Sequence, residues 1–285
     1  MGKPGVAFLL AHGWHSVSDL VVRSHTIYAN LRENSPFLER SSLYTGLDPT
    51  EKSGVSYFMG MVAAKVLGAR LLDTPWLFHV SMITALGGAV SLKGKSQPDL
   101  VGLRRNRDWV VAEAKGRTWG YSASAMATAK LQTRQLRSIN GQFPALRVAV
   151  QASFNPNLEW DIEDPEEFEE DAPDLHFDLE GAMEMYYSAS TAATAGGQNR
   201  RIRQREFFVR ELPEIGVTIG IDRNVRDRLQ TRSLIVGEGE LFHEPSPEPQ
   251  PDGDFLVFAD GLAIALDDRW AEDRMSRDPL VRRDA

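Results

Sequence analysis

Residues 96–117 constrain the fold of this chain more than any other stretch of its sequence. Two short apolar runs flank a polar and charged turn at residues 104–108, a pattern that predicts two strands joined as a hairpin. Side chains alternate along a strand, so Glu113 and Lys115 lie on one face of the second strand. Asp99 opens the first strand, and pairing of the two strands would bring it close to Glu113.

Two neighbouring carboxylates and an amine suit a divalent cation. Mg²⁺ prefers hard oxygen ligands and is usually held by one or two carboxylates, with water and substrate phosphate completing the octahedron. Asp99 and Glu113 would supply the carboxylates, and the carbonyl of Ala114 a further oxygen. Lys115 would lie beside the ion and orient or deprotonate a water, whose pKa the metal lowers. Mn²⁺ is expected to substitute for Mg²⁺; the alternative is an ordinary hairpin with a solvent-facing Glu–Lys pair.

The motifs Pro98-Asp99 and Glu113-Ala114-Lys115 resemble those of the PD-(D/E)xK nuclease superfamily, which has the restriction-endonuclease-like fold. The resemblance implies that Asp99 and Glu113 bind the metal. It also implies that Lys115 serves the attacking water, and that the substrate is a phosphodiester, most often in DNA.

The resemblance covers residues 53–154. Members of this superfamily often carry a further acid on a helix before the first core strand. No position of this sequence matches that acid closely. The nearest candidates are Glu51, Glu33 and Glu39.

Charge is distributed unevenly along the chain. The net charge of −8 would argue against a nucleic-acid partner, but residues 93–137 carry seven more cations than acids. A local basic patch attracts phosphate whatever the total charge. Residues 159–184 carry thirteen acids and no Lys or Arg. We interpret this acidic tract as a solvated linker; the alternative is that it mimics nucleic acid when the site is empty.

The segments around the hairpin predict an α/β core. Apolar residues with helical spacing follow Ser53, a plausible N-cap, and predict a helix that ends near residue 72. Residues 89–92 are the candidate first strand. A second helix is expected from Ser122 to about residue 139. Residues 146–154 then form a strand parallel to the Glu-x-Lys strand, because a helix connects the two.

The second predicted helix carries polar side chains that could face a phosphate backbone. Lys130 and Arg134 are four residues apart and belong to one stripe, with Gln132 and Gln135 beside them. Arg117 follows the Glu-x-Lys strand directly. These five residues are the candidate nucleic-acid contacts; a solvated polar face is the alternative.

Strand, hairpin, helix and strand together predict a restriction-endonuclease-like core with a central mixed β-sheet flanked by helices. We expect an N-terminal segment (1–52), the nuclease core (53–158), an acidic linker or peripheral elements (159–199) and a C-terminal α+β region (200–285). A basic cluster at residues 200–210 is either a second DNA contact or a solvated face.

These features predict a Mg²⁺-dependent nuclease acting on nucleic acid, with DNA favoured. The alternative is a non-catalytic nucleic-acid-binding or regulatory protein on the same fold. The chain has no cysteine, which excludes disulfides and thiolate metal sites and fits a reducing compartment. No apolar run approaches the roughly 18 residues of a membrane span. We therefore expect a cytoplasmic protein without a membrane partner, with a homodimer and a regulatory partner for the C-terminal region as further possibilities.

Overall fold

The computed structural model describes residues 4–34, 36–85, 87–90, 97–164, 168–234 and 248–270. Its helices are α1 (Pro4–Asn30), α2 (Ser42–Gly46), α3 (Pro49–Leu71), α4 (Val80–Ala85), α5 (Ala123–Thr133), α6 (Leu179–Tyr186), α7 (Ser188–Ala193) and α8 (Arg223–Thr231). Its strands are β1 (Leu31–Asn34), β2 (Phe37–Arg40), β3 (Trp76–His79), β4 (Ala89–Val90), β5 (Leu100–Leu103), β6 (Trp109–Gly116), β7 (Ser138–Ile139), β8 (Leu146–Phe154), β9 (Leu158–Glu163), β10 (Asp174–His176), β11 (Gln198–Ile202), β12 (Arg205–Leu212), β13 (Val217–Asp222), β14 (Gln250–Asp252), β15 (Phe255–Val257) and β16 (Leu262–Leu266). None of the helices within these ranges has the length and apolar character to cross a membrane.

The predicted hairpin lies inside a five-stranded mixed sheet with the order β3-β5-β6-β8-β9. β5 and β6 pair antiparallel with Leu100 opposite Ala112, as the polar turn between them predicts. β6 and β8 pair in parallel, which confirms the orientation expected from the intervening helix. β3 and β9 join the two edges in antiparallel orientation. The prediction of a mixed central sheet in an α/β fold is therefore confirmed.

Helices α3 and α5 cover this sheet and contact β6 and β8. Val110, Ala112 and Ala114 share the apolar face of β6 and pack into one core cluster with residues of α3, including Met59 and Ala63. The opposite face carries Glu113. Its neighbour on β8 is Ala149, which packs against the α5 residues Met126 and Ala129. The two faces of β6 thus lie against different helices, as the alternation of its side chains requires.

The contact between α3 and β6 depends on two glycines. A Cβ atom on Gly116 would lie 1.6 Å from the carbonyl oxygen of Ser56, and one on Gly60 would lie 2.8 Å from the backbone nitrogen of Gly116. Only hydrogen at these positions lets the helix backbone approach the strand so closely. The approach fixes the end of β6 that carries Lys115.

The start of α3 differs from the predicted one. The helix begins at Pro49 with Asp48 as its N-cap, and Glu51 completes a capping box by accepting from the Asp48 amide. Ser53, the predicted cap, lies inside the helix. A proline at the first helical position and a reciprocal cap outweigh a lone serine.

The first strand of the core was also misplaced. It is β3, which pairs antiparallel with β5. Of the predicted strand 89–92, residues 91 and 92 lie outside the described ranges. β4 instead belongs to a three-stranded sheet with β10 and β7.

The helix expected from Ser122 to residue 139 is shorter. Ser122 caps α5 as predicted, but the helix ends at Thr133. The backbone amide of Arg137 donates to the carbonyl of Pro173, and β7 pairs in parallel with β10. Tertiary pairing therefore replaces helix after Arg134, which is the C-cap of α5.

The acidic tract is structured rather than a solvated linker. Its first part forms β9, the edge strand of the central sheet, and later parts form β10 and α6. Residues 165–167 lie outside the described ranges. Strands β8 and β9 pair as a hairpin, so the central sheet continues past residue 158, where the core is predicted to end.

The C-terminal strands form a six-stranded antiparallel sheet with the order β11-β12-β13-β16-β15-β14. Strand β13, the short helix α8 and the hairpin of β15 and β16 lie in this part of the chain, where an α+β region is predicted. The basic cluster at residues 200–210 lies on β11 and β12. Arg205 in this cluster pairs with the buried Asp222, so part of it serves the fold.

Candidate functional site

Asp99 and Glu113 meet at one end of the central sheet. The backbone amide of Asp99 donates to Glu113 Oε2 at 2.8 Å, and the amide of Ala114 donates to Asp99 Oδ2 at 3.3 Å. These reciprocal contacts are a direct result of the β5–β6 register. The two carboxylates are therefore neighbours, as the hairpin pattern predicts, and Glu113 is only 1% exposed.

Lys115 completes the cluster. Its Nζ atom donates to Glu113 Oε1 and, at 2.6 Å, to Gln132 Oε1 on α5. Gln132 in turn contacts the carbonyl of Gln97, just before Asp99, through Nε2 at 3.5 Å. Of the candidates on the second predicted helix, Gln132 is thus the one that the structure joins to the acidic pair.

Burial, together with the charge of the neighbouring Asp99, raises the pKa of Glu113 to about 7, although the hydrogen bond and charge of Lys115 act to lower it. A buried carboxylate at this pKa is only partly ionised at neutral pH. A cation bound between the two acids would favour the ionised form. Asp99, Glu113 and the Ala114 carbonyl are hard oxygen donors of the kind that a divalent cation prefers.

Tyr57 and His79 lie next to the acid pair and contact each other. The Tyr57 hydroxyl lies 3.2 Å from His79 Nε2, and the hydroxyl of Ser81 lies 2.8 Å from His79 Nδ1. His79 pairs with Leu100, the residue after Asp99. Burial and the charge of Asp99 raise the pKa of Tyr57. No sequence spacing links Tyr57 to His79; only the packing of α3 over β3 brings them together.

The third acid is not supplied by any of its three candidates in the described structure. Glu51 caps α3, Glu39 bonds to Arg32 at 2.9 Å and to Asn34 at 2.6 Å, and Glu33 lies on β1. Within the described ranges, no group of three or more His, Cys, Asp or Glu residues is arranged to hold a metal. Any bound ion would therefore rely on the acid pair, backbone oxygen, water and phosphate.

The basic residues predicted to form one patch around the site lie in different parts of the fold. Arg104, Arg105 and Arg107 lie in the turn between β5 and β6, at the far end of the hairpin from Lys115. Six residues of extended strand separate Trp109 from Lys115, which is about 20 Å. Arg105 also pairs with Asp73. These three arginines therefore cannot contact a phosphate held at Asp99; Lys93 and Lys95 lie outside the described ranges.

Acidic side chains neutralise other members of the patch. Lys130 Nζ bonds to Glu163 Oε2 at 2.6 Å, and Arg137 forms a bidentate pair with Asp174. Both acids belong to the acidic tract.

The other candidates differ in their exposure. Arg134 caps the C-terminus of α5 and is half-buried, and Gln135 is half-buried in the turn that follows. Arg117 is exposed and has no ion pair within the part of the chain that the structure describes. It is thus the predicted contact most available to a phosphate.

No protein-family model, curated protein or solved structure matches this chain. The chemical interpretation of the site depends on its own geometry. Two adjacent carboxylates, an ammonium and an amide at the end of a sheet can bind a divalent cation and a phosphate group together.

Proposed function

We propose that the chain is a metal-dependent nuclease of the PD-(D/E)xK type, which hydrolyses phosphodiester bonds, in DNA by preference. The observation that carries this proposal is the convergence of Asp99, Glu113 and Lys115, with Gln132 holding the ammonium. The element order supports it as well. A strand, the hairpin with the acidic pair, helix α5 and the parallel strand β8 follow one another as the resemblance implies.

The donor set fits Mg²⁺ or Mn²⁺, since Asp99, Glu113 and the Ala114 carbonyl are hard oxygen ligands. When bound, such an ion lowers the pKa of a water and stabilises charge on the phosphate. Lys115 orients the attacking water and offsets charge on the phosphate oxygens as the P–O bond to one sugar oxygen breaks. That sugar oxygen leaves with a proton, and the water oxygen remains on phosphorus.

A non-catalytic nucleic-acid-binding protein is the second candidate. The observation in its favour is that Lys115 contacts Glu113 directly, so the ammonium can offset the buried carboxylate without a metal. Titration calorimetry with Mn²⁺ separates the two functions. We expect binding to the wild type and its loss in Asp99→Ala; a wild type that does not bind Mn²⁺, with or without DNA, would favour the second candidate.

The direct test is a cleavage assay on plasmid, linear duplex and single-stranded DNA with Mg²⁺ or Mn²⁺. We expect Asp99→Ala and Lys115→Ala to lose roughly 100-fold or more of the activity. Glu159→Gln, an exposed acid on β9, is the matched control and should cut normally. Cleavage that survives both site substitutions would refute the assignment. A homodimer and a regulatory partner for the C-terminal region remain predictions.

A further inference from the structure

The loop between β6 and α5 displays two aromatic rings within six residues of Lys115. Trp119 is 69% exposed and Tyr121 is 46% exposed. Trp119 follows Lys115 by four residues, so the two Cα atoms are at most about 14 Å apart. The loop also leaves the sheet at the carboxyl end of the parallel strand β6, where ligands of α/β sheets characteristically bind.

The Trp119 ring is held in place although it is exposed. The guanidinium of Arg40 lies 4.7 Å from the centre of the Trp119 ring and 5.6 Å from that of the buried Phe154. Arg40 also donates to the carbonyl of Thr118 at 3.3 Å. One side of the indole therefore rests on a cation fixed to the core, and much of the remaining ring surface is open to solvent.

The backbone of the loop is tied to β8 at both ends. The amide of Arg117 donates to the carbonyl of Ala152 at 2.8 Å, and the amide of Ser122 donates to Gln151 Oε1 at 2.8 Å. The Tyr121 hydroxyl bonds to Glu163 at 2.9 Å. Because both rings are fixed before any ligand binds, stacking on them costs little conformational entropy.

We propose that Trp119 and Tyr121 form a stacking platform for unpaired bases, and that the substrate of this site is single-stranded DNA. The inference rests on the proposed nuclease function and specifies its substrate class. In a duplex, neighbouring base pairs cover the faces of each base, so a protein ring can stack only on an unpaired or extruded one. Arg117 lies between the platform and Lys115 in sequence and supplies a cation for the backbone phosphate.

Fluorescence anisotropy with labelled oligonucleotides tests the platform without catalysis, in EDTA and again in Ca²⁺. Single-stranded DNA should bind the wild type more tightly than a duplex of the same sequence. Trp119→Ala should weaken single-strand binding roughly 5- to 100-fold, the range for loss of one base–aromatic stack. Trp119→Phe should retain most of the affinity. Phe143→Ala is the matched control, since Phe143 is 65% exposed but precedes β8, at the opposite end of the sheet.

Oligonucleotides with abasic sites show whether stacking is the cause. If Trp119 stacks on a base, an abasic strand should bind the wild type and Trp119→Ala with similar affinity, because the same contact is already lost. Equal single-strand binding by wild type and Trp119→Ala would overturn the platform and leave the nuclease proposal intact. Failure of the nuclease proposal is distinguishable, since the wild type would then cut no DNA with Mg²⁺ or Mn²⁺.

Discussion

Gln132 of α5 holds Lys115 of β6 through a hydrogen bond of 2.6 Å between Oε1 and Nζ. The amide is neutral, so it fixes the ammonium without cancelling its charge. Glu113 contacts the same nitrogen atom but would be shared with a bound cation. Gln132 is therefore the partner that can keep Lys115 in place while metal and phosphate occupy the site.

Substitution Gln132→Ala should slow cleavage roughly 10- to 100-fold, the cost of misplacing a catalytic group by about 1 Å. The loss should fall on kcat, with the KM for DNA nearly unchanged, because Gln132 acts through Lys115 and not on the substrate. Steady-state cleavage of a labelled strand measures both constants. Gln135→Ala is the control, since Gln135 lies beyond the helix in the following turn; equal losses in the two variants would contradict the assigned role.

Stability should depend on pH through Glu113. Its pKa is raised from 4.5 to about 7 in the folded state, so the folded chain keeps a proton that the unfolded chain releases between these values. The free energy of unfolding should therefore fall as pH rises from about 4.5 to 7, by on the order of 2 to 3 kcal/mol. Urea denaturation in EDTA at pH 5 and pH 8 measures the fall.

Two variants distinguish the contribution of Glu113 to this pH dependence from that of other titrating groups. Glu113→Gln should be less sensitive to pH over this window, because its amide has no proton to lose, whereas Glu159→Gln should keep the full dependence. Mg²⁺ added at pH 8 should stabilise the wild type more than Glu113→Gln. A pH dependence unchanged in Glu113→Gln would show that burial does not raise this pKa.

The approach of α3 to β6 predicts a severe effect of a single methyl group. Gly116→Ala would place a Cβ atom 1.6 Å from the Ser56 carbonyl oxygen, so α3 and β6 must move apart. The free energy of unfolding should therefore fall by roughly 3 kcal/mol or more. Gly54 also lies on α3, but no atom lies within 4 Å of an added Cβ there. Gly54→Ala should therefore raise the free energy of unfolding by roughly 0.5 to 1 kcal/mol. The thermal unfolding temperatures of the two variants test this. A Gly116→Ala variant as stable as the wild type would show that α3 and β6 are not in such close contact.

The hairpin and its acidic pair could be predicted because their information is local. Apolar alternation and a polar turn set the β5–β6 register, and that register alone brings Asp99 to Glu113. The core strand could not be chosen in the same way. Residues 76–79 and 89–92 are both short apolar runs, which periodicity cannot distinguish; the structure chooses the first because Phe78 pairs with Val101.

The charge distribution shows a second limit of sequence reasoning. Residues 93–137 are basic when they are counted along the chain, yet their partners come from elsewhere: Glu163 for Lys130 and Asp174 for Arg137. The paired residues are more than thirty positions apart in sequence. They meet only because β9 joins the central sheet and β10 joins the three-stranded sheet. The acidic tract thus lies against the basic segment instead of linking two domains. Its effect on the proposed DNA binding can therefore be tested with single variants.

Glu163→Gln should increase the affinity for single-stranded DNA severalfold. Glu163 holds Lys130 at 2.6 Å and also accepts from Tyr121, and these contacts keep the pKa of this carboxyl below its usual range. Without the negative charge, Lys130 becomes available to a phosphate, and the slope of log affinity against log salt should steepen by about one. Anisotropy in EDTA at several salt concentrations measures both quantities.

Glu159→Gln removes the same charge from the same strand, and Glu159 is exposed without a bond to Lys130. If Glu163 acts through Lys130, the control should gain much less affinity, and adding Lys130→Gln to Glu163→Gln should abolish the gain. Equal gains in the two single variants would instead assign the effect to long-range charge. Weaker binding by Glu163→Gln would show that the acid supports the Tyr121 ring more than it competes with DNA for Lys130.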